Sequence, residues 1–241
     1  MLKHLTAGLL LLLAAAGPLS AEPVDLELVL AADGSGSIDD DELKLQREGY
    51  AAALKDPRVL GAIRSGSHGA IAVAFVEWGG PTSVHTIIYW AVIRDEASAE
   101  AWGRRLVVAP RAATGYNSIS AAIDYGASLI ATNRHEGLRK VIDVSGDGPQ
   151  IGGRPLDLSR SEAMLAGITV NALVISGPGG NLRGPGGVPL EQHYERDVIG
   201  GPGAFVVVAE DRTKFAQAIL QKLVREVAGT SGPMRALAAS R

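Results

Sequence analysis

The chain has 241 residues, 46% of them hydrophobic, a formal net charge of −3 and no cysteine. A chain of this length makes one domain, at most two, with a full core, and without disulfides packing alone must hold it together. The mildly acidic balance, with no basic stripe, excludes a nucleic-acid binder.

Met1 to Ala21 follows the plan of a secretory signal peptide, with Lys3 and His4, an apolar run from Leu9 through Ala16, Gly17-Pro18, and a small-residue end at Ser20-Ala21. The run is shorter than the roughly 20 residues that span a bilayer. The expectation is a signal peptide over 1–21, one domain over 22–228, a flexible tail over 229–241, and no membrane span after cleavage.

Leu26 to Ala32 reads as a strand. Asp39 to Lys55 reads as a helix, because Asp40, Asp41 and Glu42 crowd its first turn, where the dipole favours them, and Leu43, Tyr50 and Leu54 share a face. Ala70 to Trp78 and the β-branched and aromatic run Ser83 to Val92 flank the turn Gly79-Gly80-Pro81, which predicts a hairpin with an antiparallel edge. Further on come a helix over Ala97 to Val108, a loop around Pro110 to Tyr116, a helix over Ser118 to Ala131, and a strand over Lys140 to Ser145. Leu156 to Ala166 (helix), Ile168 to Ile175 (strand), Phe205 to Ala209 (strand) and Thr213 to Val227 (helix) complete the series. Ser176 to Pro189 is Gly/Pro-rich and reads as an exposed irregular loop. The alternation predicts an α/β domain with one open, mostly parallel sheet and helices on both faces.

Asp33-Gly34-Ser35-Gly36-Ser37 and Ser145-Gly146-Asp147-Gly148 each follow an apolar strand. The first offers a carboxylate and two hydroxyls at alternate positions, with glycines that let the backbone curl so that the oxygens converge. In open parallel sheets ligands sit beyond the carboxyl ends of strands, so Asp33, Ser35, Ser37 and Asp147 can meet there, joined by an oxygen from Thr114, Asn117 or Ser118. An all-oxygen set suits Mg2+ rather than zinc or copper, and a dication held by two carboxylates still attracts a carboxylate from outside.

These two motifs resemble the metal-ion-dependent adhesion site (MIDAS) of the von Willebrand factor A (vWA) domain family. The runs Leu45-Gln46-Arg47-Glu48-Gly49-Tyr50, Glu77-Trp78, Val141 to Pro149 and Val198 to Phe205 resemble, more narrowly, an exported bacterial branch of that family with no assigned function. The resemblance implies a Rossmann-like six-stranded sheet of order 3-2-1-4-5-6 with one antiparallel edge strand. It implies Mg2+, or Mn2+ or Ca2+, held by Asp33, Ser35, Ser37 and Asp147. The family's threonine ligand falls on Asn117, whose amide oxygen sits one bond farther from the backbone. Gln150-Ile151 replaces polar residues at the rim.

The resemblance and the oxygen cluster together lead to the expectation of a periplasmic or secreted binding module that grips a carboxylate on a protein or cell-envelope partner. The alternatives are a metal-free assembly scaffold and a Mg2+-dependent hydrolase. No G-x-S-x-G elbow or phosphate-binding G-x-x-x-x-G-K-[ST] loop is present, and Asp33 lacks the second aspartate of phosphoaspartyl transferases, so the expectation is not an enzyme. Asp39, Asp40 and Asp41 read as a solvated helix start, Asp143 as a buried hydrogen-bonded group, and His68, His85, His135 and His193 as surface or packing residues.

Overall fold

A computed structural model describes residues 21–175, 183–210 and 214–229. In β1 (Glu22–Asp33), Leu26, Leu28, Leu30 and Ala32 are buried on one face and Val29 and Ala31 on the other, as the two-residue period of a strand requires. Both faces of this strand are therefore covered, and it lies at the centre of the sheet. With β2 (Ile71–Trp78), β3 (Val84–Ile93), β4 (His135–Gly146), β5 (Ile168–Ile175) and β6 (Val206–Ala209), the order is β3-β2-β1-β4-β5-β6. All neighbours are parallel except β2 and β3, the antiparallel hairpin expected at the edge.

Helices α1 (Asp40–Lys55), α2 (Pro57–Arg64), α3 (Glu96–Val107) and α7 (Phe215–Ala228) cover the face of Leu26 and Leu28. The other face is covered by α4 (Ile119–Thr132), α5 (Leu156–Leu165) and the short α6 (Leu190–His193), which runs into a π turn at Tyr194–Val198. Asp39 caps α1 through a reciprocal box with Glu42, so the acidic helix start is a cap, as its sequence indicates.

Several boundaries differ from the sequence reading. β1 begins at Glu22 and β4 at His135, earlier than expected, because their polar leading residues pair with each other from Glu22↔His135 onward. Helices α2 and α6 and the π turn have no counterpart among the expected elements. Of the Ser176 to Pro189 loop, residues 183–189 are locally ordered: Gly184 N–H donates to Val188 O at 2.8 Å, and Arg183 bridges to Pro189. The rest of that loop, residues 1–20 of the expected signal peptide and the tail beyond Gly229 lie outside the described residues. Among the described residues no helix is long and apolar enough to cross a membrane.

A buried ionic cluster fastens α7 to the sheet. Lys222 Nζ lies 2.5 Å from Asp143 Oδ1 on β4 and also bonds Glu226 one turn along its own helix, while Asn171 Nδ2 on β5 donates to Glu226 Oε1 at 3.2 Å. All three charged groups are essentially inaccessible, and Asp143 Oδ2 and Glu226 Oε2 have no hydrogen-bond partner among the described residues. Asp143 is thus buried as expected, but its partner is an ammonium from the last helix.

Candidate metal centre

Strand register brings the two motifs together. Ala32 pairs with Ser145, so Asp33 ends β1 beside Gly146, and Asp147 follows one residue later at the same carboxyl end of the sheet. The chain then turns at each place. Asp33 Oδ1 accepts Ser35 N–H at 2.8 Å, which folds the loop back on itself. Ser35 Oγ and Ser37 Oγ are 3.0 Å apart, and Ser37 Oγ donates to Asp147 Oδ1 at 3.1 Å. Four of the five expected site residues are thus linked by hydrogen bonds or adjacent turns, and the fifth, Asn117, lines the same cleft.

That cleft has a volume of about 510 Å³. Its floor is formed by Ser35, Ser37, Asn117 and Asp147, with Asp33 fully buried beneath. Thr114 and Ser118, the other oxygen donors considered, are committed elsewhere. Thr114 Oγ1 lies 3.4 Å from Ser83 Oγ and its carbonyl accepts Gly80 N–H at 2.9 Å, and Ser118 caps α4 while its Oγ donates to Gly152 O at 2.7 Å. Asn117 is packed against Gly148, where a Cβ would fall 1.9 Å from Asn117 Nδ2. Gly148→Ala is therefore expected to push the Asn117 amide off its place and cost about 1–3 kcal/mol, which thermal or urea denaturation of the variant would measure.

Two charges share this floor. Burial first, and then the Asp147 charge, push the Asp33 carboxyl up to about 7, and burial raises Asp147 as well. Asp33 Oδ2 is buried and has no hydrogen-bond partner among the described residues. Buried polar atoms are almost always satisfied, so an orphaned carboxylate oxygen facing a second carboxylate is what a cation would complete. The residues fit a hard cation: two carboxylates, two hydroxyls and an amide oxygen are all oxygen donors. Among the described residues no three His, Cys, Asp or Glu side chains gather to hold a metal, so beyond the two carboxylates neutral oxygens and water would have to complete the shell of any ion.

Among the described residues no basic head group lines the cleft. The nearby guanidinium of Arg111 instead grips the outside of the loop, donating from Nη2 to the carbonyls of Gly34 (3.1 Å), Ser35 (2.9 Å) and Ile38 (2.6 Å) and from Nη1 to Asp40 at 3.0 Å. Gln46 Nε2 donates to Asp33 O at 3.0 Å. Arg47 pairs with Glu77 at 2.5 Å within the core, and also bonds the carbonyls of Ala109 and Pro110, while Glu77 Oε2 accepts Ala112 N–H at 3.2 Å. Tyr50 O–H reaches Ser145 Oγ at 3.2 Å, Trp78 Nε1 donates to Ala31 O at 3.0 Å, and Tyr194 O–H donates to Gly148 O at 2.9 Å. The runs around Gln46-Arg47, Tyr50 and Glu77-Trp78 are thus the frame under the site.

Sequence reasoning missed Arg111 and Tyr194, and read His193 as a surface or packing residue without its link to the site. His193 is buried, its Nδ1 is 2.8 Å from Asp197 Oδ2, and its Nε2 accepts Gln150 N–H at 3.3 Å. It ties the turn carrying Asp147 to α6. No local spacing reveals such a contact, since the partners are 43 residues apart.

A doubly covered 3-2-1-4-5-6 sheet with this loop arrangement at its carboxyl end is the vWA fold. The chain matches over residues 23–231 the family described as "Protein of unknown function (DUF1194)", and it belongs to that family. Solved structures agree at the level of fold. Proximal thread matrix protein 1 of the mussel byssus, with a zinc-occupied MIDAS motif, has a TM-score of 0.59 at 12% identity, covering 85% of this chain and 46% of that one. The von Willebrand factor type A protein from Catenulispora acidiphila has a TM-score of 0.58 at 15% identity, with 85% and 43% covered. The vWF domain of the type V pili tip protein Mfa5 from Porphyromonas gingivalis has 0.55 at 11% identity, with 83% and 94% covered. This chain spans less than half the length of the first two. No curated protein matches the sequence.

Proposed function

We propose that this protein is an exported binding module in which Asp33, Ser35, Ser37, Asn117 and Asp147 hold a divalent cation that grips a carboxylate on a protein or cell-envelope partner. The observation that carries the reading is the linkage of Ser35, Ser37 and Asp147 at the floor of a cleft that Asn117 also lines, above the buried Asp33, whose Oδ2 has no hydrogen-bond partner among the described residues. The oxygen-only donor set favours Mg2+, Mn2+ or Ca2+. A structural relative with zinc at its MIDAS motif, and another from a pilus tip, support the metal and the envelope setting. The signal-like segment over 1–21 supports export to the periplasm or beyond.

Binding rather than catalysis fits the surroundings of the cleft. His193 has both ring nitrogens engaged, and among the described residues lining the cleft Asp147 is the single ionisable carboxylate, which leaves no separate general base there.

The test is thermal melting in EDTA and in millimolar Mg2+, Mn2+ or Ca2+, with Asp147→Ala in parallel. An ion that binds only the folded protein at about 100-fold above its Kd raises the melting temperature by roughly 5–10 °C. The parent is expected to show such a rise and Asp147→Ala to lose it. Identical melting of the parent with ion and with EDTA would sink the reading.

A further inference from the structure

The rim of the cleft carries two large apolar side chains that the fold does not bury. Tyr116 is 77% exposed and Ile151 is 64% exposed, and both line the cleft whose floor holds the oxygen cluster. Scattered exposed apolar residues are ordinary on any surface and need no explanation. These two differ in sharing one concave site and in the rigidity of the backbone beneath them.

Tyr116 sits in a turn fastened on both sides: Gly36 N–H donates to Gly115 O at 3.0 Å, Gly80 N–H to Thr114 O at 2.9 Å, and Ser118 N–H to Gly79 O at 2.8 Å. Ile151 is fixed by its own N–H, which donates to Asn117 O at 2.9 Å. The neighbouring Gln150 is turned inward. Its Oε1 accepts Ser120 N–H at 3.0 Å, and its Nε2 donates to Ser120 Oγ at 2.8 Å and to Gly152 O at 2.7 Å. Gln150 therefore uses its polar atoms to stake the turn to α4, and Ile151 is what the turn presents. The same Asn117 that lines the floor holds both rim residues, by peptide linkage to Tyr116 and by hydrogen bond to Ile151.

Charge is arranged in the opposite way. Among the described residues Asp147 is the one ionisable carboxylate lining the cleft, and no Lys or Arg lines it, so the rim offers a partner no salt bridge of its own. A charged neighbour of the gripped carboxylate, pressed against the ring of Tyr116 and the side chain of Ile151, would be desolvated there with no opposite charge among the described lining residues to pair with it.

We infer that the cleft selects an extended acidic segment of a partner protein in which the gripped carboxylate is flanked by an aromatic or large aliphatic residue, seated between Tyr116 and Ile151. This rests on the metal-bearing reading above. Burying one such side chain on preordered apolar walls corresponds to about a 10-fold gain in affinity, most of it in slower release.

The experiment uses the exported protein, three capped peptides and two measurements. Mn2+ binding is read first by electron paramagnetic resonance. Affinity for Gly-Phe-Glu-Gly, Gly-Ser-Glu-Gly and Gly-Phe-Gln-Gly is then read by NMR titration in millimolar Mg2+. The expected result is about 10-fold tighter binding of the Phe-Glu peptide than of the Ser-Glu peptide, and loss of binding for Phe-Gln. In Tyr116→Ser/Ile151→Ser the preference for Phe disappears while Mn2+ binding is kept, because both side chains are exposed and neither is a ligand. Bound Mn2+ with equal affinity for the Phe and Ser peptides, or with no peptide binding, overturns this inference and leaves the metal site standing. Persistence of the Phe preference in the double variant also overturns it. Failure to bind Mn2+ removes the metal reading and this inference together.

Discussion

Lys222→Met is expected to lower the unfolding free energy by about 3–5 kcal/mol at pH 7.5, read by urea denaturation. Lys222 is the cation that faces Asp143 across the α7–β4 contact, and both of its carboxylate partners are inaccessible to water. Removing an ammonium from such a cluster leaves carboxylates with neither solvent nor counter-charge, which costs far more than the intact pair contributes. The effect depends on pH in a definite direction. Burial, then the Glu226 charge, push Asp143 up to about 7 against the pull of Lys222, from an ordinary 3.8. A carboxyl raised in the folded state gives stability that is complete below about pH 4 and is lost as pH climbs through 7. The variant deficit is therefore smaller at pH 5 than at pH 7.5, since the abandoned carboxyl can then take up a proton. Adding Asp143→Leu to Lys222→Met should restore much of the loss. A deficit below about 1 kcal/mol at pH 7.5, in the range of exposed pairs, would contradict the burial described.

Asp33→Asn is expected to strengthen the metal-free protein and abolish its response to metal. In the absence of a cation, the Asp33 carboxylate is desolvated beside Asp147, and its rise to about 7 from 3.8 corresponds to up to about 4 kcal/mol of stability lost by pH 7.5. Here too the sign is that of a raised acid: the stability is present below about pH 4 and disappears through 7. An amide at this position keeps the acceptor for Ser35 N–H and carries no charge. In EDTA at pH 7.5 the variant should therefore melt above the parent, and the two should converge near pH 4. In Mg2+ or Mn2+ the order should reverse, because the ion offsets the repulsion in the parent alone. Equal melting in EDTA across this pH range would show that the pair does not strain the apo fold. Such a trade of stability for function is common where a binding site gathers like charges.

Much of this architecture is legible in the chain, and the reasons differ by element. β2 and β5, buried on both faces, declare themselves as continuous apolar runs, and the faces of α1 and α7 by their helical period, since each is set by which residues must leave water. Sheet order comes from the resemblance carried by the two motifs. Helix α2 is hidden although Asp56-Pro57 is a good start signal: Asp56 caps it and Pro57 occupies its first position, but it is only eight residues long and follows α1 after a single residue, and the segment between Lys55 and Ala70 carries no expected element. The leading ends of β1 and β4 are polar and are held by pairing with each other, so no local pattern marks them. Asp33, Ser35, Ser37 and Asp147 can be grouped because each lies at a strand end. Arg111, Gln46 and His193 cannot, because each acts through a partner from a different part of the chain, and only the folded backbone specifies which.

The grip of Arg111 on three carbonyls of one loop has a kinetic corollary. A loop that had to be gathered by its ion would add its ordering entropy to every capture, and arrival would be slowed by rearrangement. Here the curl of residues 34–38 is clamped from behind by the chain's own guanidinium. An incoming ion would meet a seat moulded during folding, and its arrival rate would be governed by shedding of its hydration water.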